Sequence, residues 1–498
     1  MPPLWGRRPI AAALRRPSLA PWSASVFVVV WALWAMAFNS AQFGDNVEQF
    51  NWSHSLEWGY HKHPPLPTWL LGGLLRLLGP SPHAAYWLAT LCALATAWLT
   101  WSIARELLGE RVAAASVVLW SLHQCFSSRV QLYNHNTVLV VAIAATVWCT
   151  LRATRGATGW WIAAGLAAAA AILSKYQALL PLGGLLAALV WTRRLDLPQQ
   201  RRGLLLAIGI ALAACAPHVV WVASHRFTTL HYAAEAVQNG GIAERAWVLV
   251  SFAANQLRMV SPALAAVAVC LGMTRLVTGR ACVAARPAQR LPEYASIWFW
   301  CLLGGPLLAL VVLALAGGVG LRNHWGVQTM QFFGLWLAAV WQRREPIALR
   351  RLVGVAIVLH AVGLGIYAWE QSDSEAMSES RRMDTMYPAQ RLADAALADW
   401  HAVTACPLRY VAGDPFEAGL VSMYSGGFPA VYESDTTTPW IDRSDLLRRG
   451  AVHVLNDRRP PPAGAASIRE ISLAPLDRPQ PQARRVTLVV IAPAASCG

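Results

Sequence analysis

Seven side chains able to exchange a proton or hold an anion fall close together in the stretch FGDNVEQFNWSHSLEWGYHKHPPLPTWL: Asp45, Glu48, His54, Glu57, His61, Lys62 and His63. A carboxylate such as Asp45 or Glu48 can take the proton from a hydroxyl as a new bond forms to its oxygen. Lysine and histidine donors can bind phosphate oxygens. His61 and His63 could instead ligate a metal. That spacing puts two imidazoles on one side only in an extended strand, and the intervening Lys62 ammonium opposes a cation. An anion-binding cluster is therefore the more natural reading. Trp52, Trp58, Tyr60 and Trp69 interleave with the charges, as suits a loop at a membrane interface. Pro64–Pro65 stiffens the return of the chain and helps preorganise a site. A merely solvated loop is the plain alternative.

Only two of the 41 basic side chains are lysines, Lys62 and Lys175. Lys175, in SKYQ, ends an apolar run. An ionisable group there is a functional candidate, with snorkelling to the interface as the structural alternative. The segment HVVWVASHRFTTLHYAAE adds His218, His225, Arg226 and His231, and a later one adds Arg322, Asn323, His324 and Trp325. Basic and imidazole groups thus come from four separate segments and outline a site for a phosphate-bearing ligand. Asp45, Glu48 and Glu57 are the nearby carboxylates.

The elements that must position these groups are membrane helices. Of 498 residues, 56% are apolar and 13% charged, with a mean hydropathy of +0.39. Soluble domains carry about 25% charged residues, so a simple soluble enzyme and a disordered chain are excluded. Apolar runs predict about eleven spans, at 22–38, 84–104, 112–128, 136–152, 159–174, 176–192, 203–223, 247–272, 296–318, 326–342 and 352–369. Residues 66–78 read as an interfacial or re-entrant helix.

The net charge of +15 reads as arginine in cytoplasmic loops, with no nucleic-acid partner. Arginines lie before the first span and after the second, fourth, sixth, eighth and tenth. This alternation places a basic N-terminus, 1–21, in the cytoplasm, the 39–83 loop outside, and the tail 370–498 outside. An odd number of spans puts the C-terminus on the same outer side as the 39–83 loop. Runs at Leu408–Ala412, Val452–Leu455 and Val486–Ile491, with a helical stretch near 388–401, make that tail a small α/β domain. Its cysteines, Cys406 and Cys497, would face an oxidising compartment and could pair. There is no P-loop, no GxGxxG after a strand, no HExxH, no CxxC and no nucleophile elbow.

At these residues the chain resembles the bacterial protein-mannosyltransferase-like group of GT-C glycosyltransferases, which includes the lipid A aminoarabinose transferases. The resemblance rests on the acidic first loop followed by WGY..HPPLP.WL, on LSKYQALLPLGGLLAAL, on the block Pro217–His225, and on His324–Trp325. It covers about residues 25–340. It implies a GT-C membrane domain over 22–369 in a bacterial inner membrane, with the C-terminal domain in the periplasm. The implied reaction is inverting transfer of a sugar from a polyprenyl-phosphate donor to a lipid, glycan or protein acceptor at the bilayer surface. The family's first-loop acid falls on Asp45, as general base or acceptor-positioning group, with Glu48 as a weaker second one turn away if that stretch is helical. The SKY lysine falls on Lys175. Lys62, His63, Lys175, His225 and, more weakly, His324 are the expected donor-phosphate ligands. A cation there stabilises charge developing on the departing phosphate.

Three positions depart from the family pattern. Asn46 stands where a second acid often follows the first. Lys62 stands where an acid can help hold a divalent metal. Asn134-His135-Asn136 stands where an aspartate often precedes a span. No metal or other cofactor is therefore expected, Lys62 and Lys175 taking the metal's place, with a divalent metal as the less favoured alternative. The same departures would suit a non-catalytic homologue. Two further readings are a lipid or sugar transporter or flippase, and a scaffold for envelope assembly. Charged residues are nearly absent from the spans, where transporters place coupling sites, which disfavours the first.

Overall fold

The computed structural model describes residues 19–494 apart from 157, 236, 238–239, 279–291, 373–383, 457–459 and 474–483. Cys497, most of the N-terminal segment and the arginines at 280, 286 and 290 lie outside the described residues.

Each apolar run predicted as a span folds as helix. Among the described residues, seven helices have the length and hydropathy of a full crossing. They include α1 (Leu19–Phe38), α4 (Ala84–Leu108), α6 (His135–Ala153), α9 (Pro198–Ser224), α11 (Ile242–Thr278) and α16 (Leu349–Ser372). The seventh, over 293–315, is interrupted. It comprises α12 (Glu293–Phe299), a wide π turn (Trp300–Gly304) and α13 (Gly305–Leu315). The other runs give shorter helices: α5 (Glu110–Ser121), α7 (Gly159–Ser174), α8 (Leu179–Trp191), and α14 (Val327–Met330) followed by α15 (Phe333–Arg344). The run 112–128 stops early because His123 accepts the N–H of Cys125 and starts a 3-10 turn.

The helices pack α6 on α7, α7 on α9, and α5 on α15. Small residues permit the close crossings. A Cβ on Gly165 of α7 would lie 2.6 Å from the Ala207 carbonyl oxygen of α9. Such backbone approach is how apolar helices gain packing in lipid, where burial alone gives no drive.

Two helices outside these spans carry the first loop. α2 (Gly44–Trp52) holds the acids, and α3 (Leu66–Leu78) begins at the double proline, which suits a first helical turn. α3 is the short apolar helix expected over 66–78. A further short helix, α10 (Thr228–Ala234), follows α9.

In the C-terminal part the described residues include a mixed sheet and the helices α17 (Ala389–Val403), α18 (Pro415–Tyr424) and α19 (Arg443–Arg449). Its strands are β1 (Tyr410–Gly413), β2 (Ala430–Tyr432), β3 (Ala451–Asn456), β4 (Ser467–Leu473) and β5 (Arg484–Ile491), in the order β2-β1-β3-β5-β4. β1 runs parallel to β2 and β3, while β5 runs antiparallel to β3 and β4. One apolar core joins this domain to the first loop, with Val47, Phe50 and Leu71 packed among Leu392, Trp400, Val411 and Leu420. Cys406 is disulfide-bonded.

Candidate active site

α2 is short and amphipathic, so its polar residues divide between faces. Asp45 is exposed and Glu48 half-buried. Asn46 and Gln49 are buried and make fixed contacts. The Asn46 amide donates to Gln42 Oε1 at 2.9 Å and to the Gln131 carbonyl at 3.1 Å, and its oxygen accepts the Tyr133 N–H at 2.8 Å. The position where a second acid was looked for is therefore a staple between α2 and the loop entering α6. Gln49 Oε1 accepts from Thr68 at 2.9 Å, and its amide meets His135 Nε2 at 3.2 Å.

Three consecutive residues at the start of α6 connect the candidates. Asn134 is the N-cap of α6. Its side-chain oxygen accepts the N–H groups of Asn136 at 2.9 Å and Thr137 at 3.2 Å, and Thr137 closes a capping box. Its amide donates to Asp45 Oδ2 at 2.7 Å. His135 lies against the ring of His63 at 3.7 Å. Asn136 Oδ1 accepts from Lys175 Nζ at 2.9 Å. Asp45, His63 and Lys175, far apart in sequence, are thus held by one helix start.

Lys175 is buried at the C-cap of α7, with its ammonium 5.8 Å from the centre of the Trp325 ring. Burial pushes it down to about 7, against the pull of the Asp45 charge and with the help of Arg322. Lys62 is in a different setting. Its ammonium is ion-paired with Glu48 and lies 5.9 Å from the Tyr232 ring centre of α10. Burial opposes its charge, but Glu48 outweighs that and Lys62 is held above its ordinary value. Glu48 is pushed up to about 7 by burial, with Lys62 pulling the other way and Asp45 adding to the rise.

The imidazoles are held neutral. Burial, then the charges of His135, Lys175, Lys62 and His61, keeps His63 well below its usual range. His324 is pushed to about 3 by burial and then by Lys175, Arg322 and Arg129. These rings can donate a neutral N–H to an anion, but the positive charge comes from Lys62, Lys175 and the arginines. A cavity of about 70 Å³ is lined by Arg129, Asn134, Asn136 and His324 together with apolar residues such as Ala93 and Val140.

The remaining candidates sit elsewhere. His225 ends α9, contacts the Trp221 carbonyl at 2.8 Å and stacks on Trp221 at 4.1 Å, and it does not join the cluster. His61 stands edge-on to Trp52 at 5.4 Å, on a different neighbour from His63. Among the described residues no three His, Cys, Asp or Glu side chains group as metal ligands. Glu57 accepts from Ser55, within its own turn.

Residues 62–221 match the dolichyl-phosphate-mannose-protein mannosyltransferase family. ArnT from Cupriavidus metallidurans, solved bound to undecaprenyl phosphate, superposes with a TM-score of 0.63 at 16% identity, covering 97% of this chain and 100% of that one. The apo form gives 0.61 at 15% identity, covering 95% and 98%. The chain has the fold of ArnT. It is a multi-span membrane protein with a small C-terminal sheet domain. The lipid A galacturonosyltransferase RgtD of Rhizobium johnstonii is 23% identical over 224 residues, 43% of this chain and 46% of that relative. The alignment thus spans about half the length of that curated relative.

Of the residues singled out in the sequence, the structure brings Asp45, Glu48, Lys62, His63, Lys175 and His324 to this region. Sequence reading did not assign roles to Asn134, His135, Asn136, Gln49 or Tyr232. The three consecutive polar residues before an apolar run were the available signal.

Proposed function

We propose that this GT-C protein is an inverting glycosyltransferase that moves a sugar from a polyprenyl-phosphate donor to an acceptor hydroxyl at the periplasmic surface of a bacterial inner membrane. The observation that carries the proposal is the start of α6. Asn134 holds the exposed Asp45 carboxylate and Asn136 holds the buried Lys175 ammonium, so that a base and a phosphate cation face one region beside a cavity. Asp45 takes the acceptor proton as the acceptor oxygen attacks the anomeric carbon. The bond from that carbon to the phosphate oxygen breaks on the opposite side. The leaving polyprenyl phosphate gains negative charge, which Lys175, with Lys62 released from Glu48, stabilises more in the transition state than in the ground state. His63 and His324 add neutral N–H donors.

Residues 22–369 form the catalytic membrane unit, 1–21 the cytoplasmic N-terminus and 370–498 the periplasmic domain. The arginine alternation supports that orientation, and the disulfide at Cys406 suits an oxidising side. The lipid A named for RgtD favours a lipid acceptor over a glycan or protein. No metal takes part. Where a metal-holding acid would stand, Lys62 brings its own cation, so transfer survives EDTA. Loss of activity in EDTA with recovery on adding Mg²⁺ or Mn²⁺ would contradict this.

The test of function is mass spectrometry of envelope glycolipids and glycans from a deletion strain complemented with wild type or with Asp45→Asn. A sugar-sized mass absent in the deletion, restored by wild type and not by Asp45→Asn, establishes the transfer and names sugar and acceptor together. Identical profiles in all three strains would remove lipid and glycan acceptors.

A further inference from the structure

Arg129 stands in the tight turn that leads into α6. Its backbone is held on both sides: the N–H donates to the Gln124 carbonyl at 3.0 Å, and the carbonyl accepts the Leu132 N–H at 3.1 Å. Its side chain is different. Arg76 and Arg245 donate to carbonyls, of Ser53 at 3.1 Å and Gly240 at 3.0 Å. The half-buried Arg129 has no hydrogen bond from its guanidinium and no carboxylate partner among the described residues. It lines the cavity of about 70 Å³, and neither lysine nor any carboxylate among the described residues lines it with Arg129.

Asn136, on the same wall, is only 7% exposed. The Lys175 ammonium can only donate, so it is Asn136 Oδ1 that faces it, at 2.9 Å. That leaves the Nδ2 donors, which make no hydrogen bond among the described residues. The Thr96 and Thr137 hydroxyls already donate to the Cys92 and Leu132 carbonyls. The wall therefore offers a cation and a pair of amide N–H donors, and no anion to balance them.

We propose that Arg129 and Asn136 form an oxyanion subsite for the head group of the sugar donor, separate from Lys62 and Lys175. The planar guanidinium fork matches two oxygens of one oxyanion. About 10–15 Å³ is enough for one water-sized sphere, so the cavity admits a group of several heavy atoms. Asn136 joins this wall to Lys175, so an oxyanion here belongs to the molecule whose phosphate lies on Lys175. Its source is either a carboxylate on the transferred sugar or a further oxygen of the phosphate itself. The subsite stands on the cavity and its unpartnered donors; that its ligand is the donor rests on the proposed function.

The test uses full-length protein in detergent and three lipids: undecaprenyl phosphate and its esters with glucuronate and with glucose. The two esters differ only by a carboxylate in place of a hydroxymethyl group. Arg129→Gln is expected to weaken binding about tenfold or more wherever the oxyanion lies on Arg129. Arg129→Lys should lose less, because it keeps the charge without the fork. Melting of the free protein should stay at wild type, since the guanidinium holds nothing there. A loss confined to the glucuronate ester assigns the subsite to a sugar carboxylate and makes the transferred sugar an acid. A loss shared by all three lipids assigns it to the phosphate. Unchanged affinities for all three overturn the proposal. So do equal losses in both variants with lowered melting in each, which would mean that the residue acts through the fold. If Lys175→Met weakens undecaprenyl phosphate binding while Arg129→Gln changes nothing, the subsite falls and the donor reading stands. If wild type binds none of the three lipids, both fall.

Discussion

The Asn134 amide donates to Asp45 Oδ2 at 2.7 Å while the oxygen of the same side chain caps α6. One residue therefore fixes both a helix start and the orientation of the candidate base. An aspartate here would cap α6 as well, but it would set a second negative charge against Asp45. The amide does both tasks without that repulsion.

That relationship separates two substitutions. Asn134→Asp is expected to keep thermal stability near wild type and to lower transfer about tenfold or more, through like-charge repulsion at the base. Asn134→Ala loses the cap as well, at about 1 kcal/mol, and should lower both stability and turnover. Melting curves paired with initial rates distinguish the two. Equal behaviour of both variants would show that the bond to Asp45 is incidental.

With Lys175 as the proposed phosphate ligand, donor binding is expected to depend on pH. Burial holds it at about 7, and only its protonated form attracts phosphate. Affinity for undecaprenyl phosphate should be full below that value and decline as pH rises through it, with bound phosphate moving the decline upward. Lys175→Met should weaken binding about tenfold or more at low pH and flatten the profile. Titration of the purified protein at several pH values checks both statements. A wild-type affinity flat through neutral pH would count against them.

The Lys62–Glu48 pair predicts an effect of opposite sign on the carboxylate. Glu48 stands at about 7 because burial outweighs the help of Lys62. Lys62→Met removes that help, so Glu48 should hold its proton to higher pH, and the apparent KM for donor should rise about tenfold. The acid limb of the rate profile should move up in the variant. If instead the limb stays fixed, Glu48 is not the group that titrates there.

Gly419 in α18 marks where the C-terminal domain meets α2. A Cβ there would stand 2.3 Å from Val47 Cγ1 and 2.5 Å from Asn51 Oδ1. Gly419→Ala should cost about 1–3 kcal/mol as the helices move apart. It should also lower transfer, because α2 carries Asp45 and Glu48. A variant with normal rates would uncouple the domain from the site.

Much of the architecture was legible because lipid imposes a long apolar signature on each helix. The exceptions have physical causes. The run 296–318 bends through a π turn at Trp300–Gly304, which hydropathy does not register. In the tail, the strands readable from sequence were β1, β3 and β5, the interior of the sheet. β2 and β4 are its two edges; β2 is only three residues long and β4 is mostly exposed, so neither carries a long apolar run. The site divides in the same way. Charged groups such as Asp45, Lys62 and Lys175 are conspicuous in an apolar chain. Asn134 and Asn136 carry no charge and read only as missing acids.

Helix α2 turns Asp45 and Glu48 toward the site and Val47 and Asn51 toward α18. Each residue of an α-helix advances the face by about 100°. A single insertion or deletion between Asp45 and Asn51 would therefore aim the acids into the neighbouring domain, or carry the docking face away from it. This short helix therefore has little freedom to change length, whatever latitude evolution allows in the residues themselves.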